Sequence, residues 1–575
     1  MTGFERTAAD SSLGVQTPEG IEFTLYPAGF LVRACAWGVD ALIQGSLLVA
    51  LVIMAEVLML VTGFWFLLIL VFVLDWFYHT VFEVFWRGQS PGKRLVGIRV
   101  VCSDGSPVNP GASFLRNLLR FADTFMFLYL IAFICMLVSP AFRRLGDWIA
   151  DTLVVYINHT RYPGRLAAPA LRPAGMPWLA DVPMVSPSKT FDYEEKQAIL
   201  SFARRYPLLG KARADEIAGI WTPKLRGGQV PSETEPSDSV YLLGIAHTLG
   251  GSGMTQQAFV KRREQFWNEF EQALQGGKKN LKAHASWFPQ GYRELTQDLN
   301  TARAHGFDPS IIERLNALVL DGSQLLYSRR SWSVKTLADF VLKGFPRAVR
   351  SQWRSLGVSL LLFYGLGIFF AFLCVRYPHM VYQLIGESMI YNLEYMYYPG
   401  SEHFLTPRAV SSDADMFGFY IYNNISIAFR TFAGGILAGI GSIVILCFNA
   451  IFLGAATAHI INIGFGETFF PFVIAHASFE LTAIILSAQA GLLLGYSLFI
   501  TKGLSRAASL KNAGKIALPI IAGAAGMLVI AAAVEAFWSS RHEFSLALRY
   551  GSGAAAWVFV TFYFLFAGRE RRKKQ

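Results

Sequence analysis

Charged residues are depleted in two long stretches of this sequence, roughly 27–86 with 119–139 and then 355–570, and concentrated between them. A hydrocarbon core takes about 20 consecutive apolar residues per helix, because every backbone polar group there must be satisfied within the segment. Eight segments fit: 28–55, 59–86, 117–139, 353–375, 431–460, 471–500, 514–537 and 552–568. The expected fold is all-α, a polytopic helical membrane protein with about eight transmembrane helices in two modules and a soluble helical domain between them. Only 16% of residues are charged, against about 25% in soluble domains, and the mean hydropathy is +0.38. A single soluble globule is excluded.

The net charge of +11 reflects topology. Its basic residues bunch at the ends of apolar stretches, as in Arg87, Lys93, Arg94 and Arg99, or Lys343, Arg347, Arg350 and Arg354, or Arg569 and Arg571 to Lys574. That is the positive-inside pattern, and no nucleic-acid motif accompanies it. Cys35, Cys102, Cys135, Cys374 and Cys447 stand singly, so neither a disulfide framework nor a zinc site is expected. The start, Met1 to Glu22, lacks a basic n-region and a small-residue cleavage site and predicts an uncleaved anchor. The expected domains are a polar tail over 1–20, a membrane domain over 21–158, a linker with a helical segment over 159–255, a soluble helical domain over 256–350 and a second membrane domain over 351–575. Orientation cues conflict: three spans place 160–350 outside, whereas the Lys343 to Arg354 cluster favours the cytoplasm. A cytoplasmic middle then requires a re-entrant or interfacial segment, either 416–430 or 471–480.

Arg33 and Asp40 lie in the first span, seven residues apart and so on one face, about two turns apart. Arg116, Arg120 and Asp123 share another face at the start of the third span. Each charge at the bilayer centre costs about 2.5–3.5 kcal/mol on insertion scales, so they should face inward and pair. The economical pairing sets Asp40 against Arg116 or Arg120, and Arg33 against Asp123, with Asp75 and Glu83 nearby. Between spans two and three, Gly88-Gln-Ser-Pro-Gly-Lys-Arg precedes a β-branched run that reads as a short hairpin ending at Asp104-Gly105. The loop is one residue short of a Walker A motif and has no Ser or Thr after its Lys, so nucleotide binding is not expected. Arg33, Asp40, the Gly88–Arg94 loop, Asp123 and Arg143-Arg-Leu-Gly-Asp147 together resemble the RDD family of small membrane domains over roughly 21–158. The resemblance maps the family's Arg and two Asp onto Arg33, Asp40 and Asp123, and implies ion or solute transport for some members.

Residues 159–189 hold six prolines and read as a linker, and 226–239 is a second flexible stretch. Helical patterning returns over 194–205 and 211–221. Phe259, Phe266, Phe270 and Leu274 then mark one face of an amphipathic helix. His247, His284 and His305 have no ligand-like neighbours in sequence, so surface or packing roles fit them.

In the last block Gly435-x-x-x-Gly439 and Gly491-x-x-x-Gly495 strip bulk from a helix face for close packing. Asn423 and Asn424 precede a long apolar helix as caps or a polar entrance, and Asn449 within it needs a partner. His476 and Glu480, at i and i+4, share a face and are able to hydrogen-bond, relay a proton or bind a metal. Two ligands are too few for a metal site, so none is expected; Glu535, near the end of the seventh span, is either a partner for the pair or an interfacial residue. Phe259 to Trp267, Phe345 to Arg350, Tyr422-Asn-Asn, Phe432 to Gly441, Asn449, Gly454, His476-Ala-Ser-Phe-Glu and Ala490 to Gly495 resemble the stage II sporulation protein M family over 256–575. The sequence departs from it at Ala475-His-Ala477, where the family pattern has Pro-His-Gly. The resemblance implies envelope remodelling in sporulating cells, and elsewhere a MoxR-type ATPase as partner.

The expected function is ion or small-solute transport across the bacterial cytoplasmic membrane, with a non-enzymatic envelope scaffold as the alternative. No catalytic centre and no cofactor are expected. The expected partners are the lipid bilayer, another copy of the chain and the cytoplasmic ATPase that the resemblance implies.

Overall fold

The computed structural model describes residues 13–16, 22–55, 63–125, 130–139, 141–157, 182–185, 191, 193–225, 237–251, 256–275, 287–305, 307–326, 334–400 and 410–569. The tail Arg571 to Lys574, His284 and nearly all of the two expected linkers lie outside these residues. The chain divides into two compact units, one of residues 1–26, 104–107 and 156–328 and one of residues 27–103, 108–155 and 329–575.

In the first unit helices Tyr193–Arg205, Lys211–Leu225 and Asp238–Gly251 share one apolar core. Helices Gln256–Gln275, Phe288–Ala304 and Pro309–Leu326 share another. The apolar stripe behaves as expected, since Phe259, Phe270 and Leu274 are buried and Phe266 packs against them. Trp267, 1% exposed, donates its indole N–H to Asp298 at 2.8 Å, and Arg263 pairs with the same carboxylate at 2.8 Å. His247 meets the Val182 carbonyl at 2.7 Å, a packing role.

The second unit holds both apolar blocks. Its first part comprises α1 (Phe30–Ile53), α2 (Phe64–Phe85), α3 (Pro91–Val96), α4 (Pro110–Leu118), α5 (Arg120–Phe125), α6 (Leu130–Val138) and α7 (Leu145–Ala150). Its second part comprises α8 (Trp353–Arg376), α9 (Glu387–Tyr397), α10 (Val410–Gly434), α11 (Ile440–Asn462), α12 (Gly466–Phe499), α13 (Arg506–Ser539) and α14 (Leu546–Phe566). Among the described residues, six helices are long and apolar enough to cross a membrane: α1, α2, α8, α11, α12 and α13. The chain is a multi-pass membrane protein.

Four expectations change. The third span, expected over 117–139, starts inside a different helix: Asn109 caps α4 by accepting from Ala112 N, α4 ends at Leu118 and α5 starts at Arg120, with residues 126–129 ahead of α6 outside the described residues. Arg116 holds α4 against buried carboxylates, so this stretch serves an ion cluster before it turns apolar. The span expected at 431–460 is interrupted, because Ala438 and Gly439 take positive φ values of 55° and 85° between α10 and α11. The re-entrant suspect 471–480 lies inside α12, which runs unbroken through Pro471. Its 34 residues extend about 50 Å. Finally, the β-branched run Ile98–Cys102 pairs with Thr152–Tyr156 rather than closing a local hairpin.

The two blocks do not keep separate interiors. One core runs through Phe72, Leu115 and Ile149 of the first block and Phe429, Ile521 and Val560 of the second. Phe72, Trp76, Phe77 and Phe114 surround the Phe429 ring at centroid distances of 5.1–6.4 Å. Trp76 also donates to Ser426 Oγ at 3.0 Å, and Asp415 Oδ1 accepts from the Trp65 N–H at the open start of α2 at 2.8 Å.

Candidate functional site

Two polar centres lie inside this unit. The first begins at Asp40, 1% exposed on α1. Ser90 Oγ donates to it at 2.5 Å, Gly92 N–H at 2.8 Å and Tyr78 O–H at 3.2 Å, with His79 Nδ1 3.7 Å away. These partners replace the arginine expected for Asp40. The Gly88–Arg94 loop thus closes on a carboxylate of its own chain. Gly92 is required there, since a Cβ would stand 2.1 Å from the Ala36 carbonyl oxygen.

Beside it, Glu83 and Asp147 are fully buried. Glu83 accepts from Lys93 Nζ, from Arg116 Nη1, from Ser113 Oγ at 2.7 Å and from Asn117 Nδ2 at 3.0 Å. Arg116, 1% exposed, reaches on to Asp147 with Nε at 3.1 Å. Asp147 also receives Arg33 Nη2 at 2.5 Å, and Arg33 donates its other nitrogen to the Phe142 carbonyl. Arg33 therefore pairs with Asp147, where Asp123 was expected; the side chain of Asp123 lies outside the described residues. Arg120 acts on Asp75 of α2 together with Arg430. Burial would raise the Asp147 carboxyl, but Arg33, Arg116 and Arg144 hold it well below the usual carboxylate range. Burial lowers Lys93 to about 8, against the opposing pull of Glu83. Every charge in this cluster meets an opposite one, and the arrangement locks α1, α2, α3, α4 and α7 together.

The second centre is built on α12 and α13. His476, 5% exposed, points one ring nitrogen at Ser539 Oγ, 3.2 Å from Nδ1, and the other at Glu535 Oε1, 4.0 Å from Nε2. Glu535 and Ser539 bracket the imidazole because the end of α13 widens into a π-turn over Glu535–Ser539, a distortion frequent at functional sites. Glu480 follows one turn after His476, and ligand atoms of His476, Glu480 and Glu535 all lie within 4.8 Å of one another. Among the described residues this is a group able to hold a metal ion. The i, i+4 spacing made His476 and Glu480 visible in sequence; Glu535 joins them only through the pairing of α12 with α13. Tyr397, on α9 outside the spans, is raised by burial and by both carboxylates, which marks its closeness to Glu535 and Glu480. Arg549 of α14 donates to the Ser539 carbonyl at 3.1 Å.

Other expected positions serve packing. A Cβ on Gly435 would stand 2.1 Å from the Gly491 carbonyl oxygen, and one on Gly495 2.3 Å from Gly439 N. The two glycine pairs face each other, although Gly435 and Gly439 lie in the turn between α10 and α11 rather than on a helix face. Asn423 and Asn424 precede α11 as expected but sit inside α10 rather than at a cap, and Asn423 Nδ2 donates to Asn424 Oδ1 at 2.9 Å. Asn449 finds its partner in its own helix, the Ile445 carbonyl at 2.8 Å.

Three stretches of the chain match family models. Residues 27–151 match the RDD family model, residues 257–328 a domain of unknown function (DUF8413), and residues 359–540 the stage II sporulation protein M model. The resemblance over 256–575 is thus narrowed, because 257–328 answers to a model of its own. An uncharacterized protein, YckC of Bacillus subtilis (strain 168), is 39% identical over 82 residues, which are 14% of this chain and 54% of that protein. The match thus spans about half the length of that relative. No solved structure matches. The chain carries an RDD family module at residues 27–151 and a stage II sporulation protein M family module at residues 359–540, in that order.

Proposed function

We propose that this protein moves a small cation across the bacterial cytoplasmic membrane through its second module. The observation that supports the reading is the convergence of His476, Glu480 and Glu535 from two helices able to span the bilayer. Ionisable groups inside spans are costly, and by default they mark an ion or proton path. In the first centre, by contrast, arginine and lysine neutralise Glu83 and Asp147 directly, while Asp40 is held by Ser90, Gly92 and Tyr78. The RDD module then acts as the rigid support against which the second module packs. Flux tests this: full-length protein in liposomes should carry a proton or metal-ion current that Glu480→Gln and Glu535→Gln each reduce at least about tenfold. Wild-type flux equal to protein-free vesicles would defeat it.

An envelope scaffold is supported by a different feature, the two helical cores of the first unit. Affinity capture of the solubilised full chain should then return a reproducible ATPase partner, lost when residues 257–328 are deleted.

A further inference from the structure

We infer that His476, Glu480 and Glu535 form a binding site for a divalent first-row transition-metal ion, with Zn2+ as the fitting probe; the inference rests on the cation-path reading and names its cargo.

The donor set carries the argument. One imidazole nitrogen and two carboxylate oxygens suit zinc or manganese, whereas magnesium and calcium favour oxygen alone. With metal–ligand bonds of about 2.1 Å, a tetrahedral ion sets its ligands about 3.4 Å apart. The separation of His476 Nε2 from Glu535 Oε1 is 4.0 Å, too long for a hydrogen bond and close to that spacing. The full group, within 4.8 Å, needs side-chain closure of an ångström or so to meet one ion. Three protein ligands leave a position open, as catalytic and exchangeable zinc sites do.

The surroundings supply what a metal-binding histidine needs. Such a ring holds its second nitrogen on an oxygen that fixes its tautomer and direction. Ser539 Oγ, 3.2 Å from Nδ1, and the Phe472 backbone supply oxygens for that role, and Nε2 faces Glu535. Phe472 packs edge-on against the imidazole at 5.4 Å and restrains the ring further. A divalent ion displaces any proton the two carboxylates hold and neutralises them; in apolar surroundings that neutralisation matters most. The neighbouring cation, Arg549, directs its guanidinium to the Ser539 carbonyl.

Equilibrium dialysis of chelator-stripped full-length protein in detergent, with Zn2+ alone and elemental analysis, tests the site. About one Zn2+ per chain is expected, Mg2+ should not compete, and Co2+ in its place should give the visible absorption of a low-coordinate site. Glu480→Gln and Glu535→Gln should each weaken binding by more than about 100-fold, and Ser539→Ala by about tenfold, as the loss of an outer hydrogen bond does. If a glutamine variant fails to fold, the Ser539→Ala affinity and the Co2+ spectrum of the wild type decide. No bound Zn2+, or binding unchanged in the glutamine variants, overturns the site. Zn2+ binding without flux in liposomes keeps the site and defeats transport; proton flux without Zn2+ binding does the reverse.

Discussion

Arg116→Met is the most discriminating perturbation of the first centre. The guanidinium is 1% exposed and bridges Glu83 to Asp147, so its removal strands two carboxylates inside the unit. Removing one partner of a buried ion pair costs about 3–5 kcal/mol. Here the carboxylates keep other donors, Lys93, Ser113 and Asn117 on Glu83 and Arg33 and Arg144 on Asp147, which argues for the lower end. At about 2 °C per kcal/mol for a large domain, the transition should fall by about 6 °C. Intrinsic tryptophan fluorescence during heating in detergent reads this, with Arg120→Met as the comparison. Arg120 is half-buried and acts on the less enclosed Asp75, so its loss should cost about 2 °C or less. The double variant Arg116→Met with Asp147→Asn should lose clearly less than the sum of its single changes, because the two groups share one interaction. An unchanged transition for Arg116→Met, or strict additivity with Asp147→Asn, would refute the bridged cluster.

Three further outcomes follow from other contacts. Gly435→Ala sets a methyl 2.1 Å from the Gly491 carbonyl and should destabilise the protein by about 1–3 kcal/mol, whereas Gly526→Ala, with open space around it, should cost nothing measurable by the same heating assay. Trp267→Phe removes the indole donor to the buried Asp298 and should lower protection of helix Gln256–Gln275 in hydrogen exchange by about 1–3 kcal/mol. The pH dependence of Asp147 has a definite sign: its carboxyl is depressed in the fold, so its stabilisation is full above the ordinary value of 3.8 and is lost only as pH falls towards the lower folded value. The stability gap between wild type and Asp147→Asn should therefore stay constant from about pH 7 to 5 and shrink only in stronger acid.

Much of this was legible because lipid imposes long uncharged helices, and α1, α2, α8, α12 and α13 lie close to the positions read from sequence. The failures have physical causes. Apolar content runs straight through 431–460, so hydropathy is blind to the break that Gly439 makes by adopting a backbone few other residues tolerate. Helical spacing correctly put Arg33 and Asp40 on one face, yet periodicity identifies a face and not the partner across from it. Asp147 and Ser90 reach those side chains through the short α7 and the loop before α3, elements with no period to read. Glu535 was distinguishable as an acid near a span end, but its approach to His476 depends on the register of two long helices and on a π-turn.

The shared core also has a consequence for how the chain is made. Trp65 and Asp415, which meet across the two blocks, are 350 residues apart. At about 5–20 residues per second, the first block waits roughly 20–70 s in the bilayer before that partner leaves the ribosome. The buried charges need not wait. Arg33, Glu83, Lys93, Arg116 and Asp147 neutralise one another within the first block as soon as α7 is made. What stays uncovered in the interval is aromatic, Phe72, Trp76 and Phe77, and lipid solvates such a face at little cost. The order of synthesis thus matches the order of urgency, with polar pairing local and early and apolar pairing distant and late.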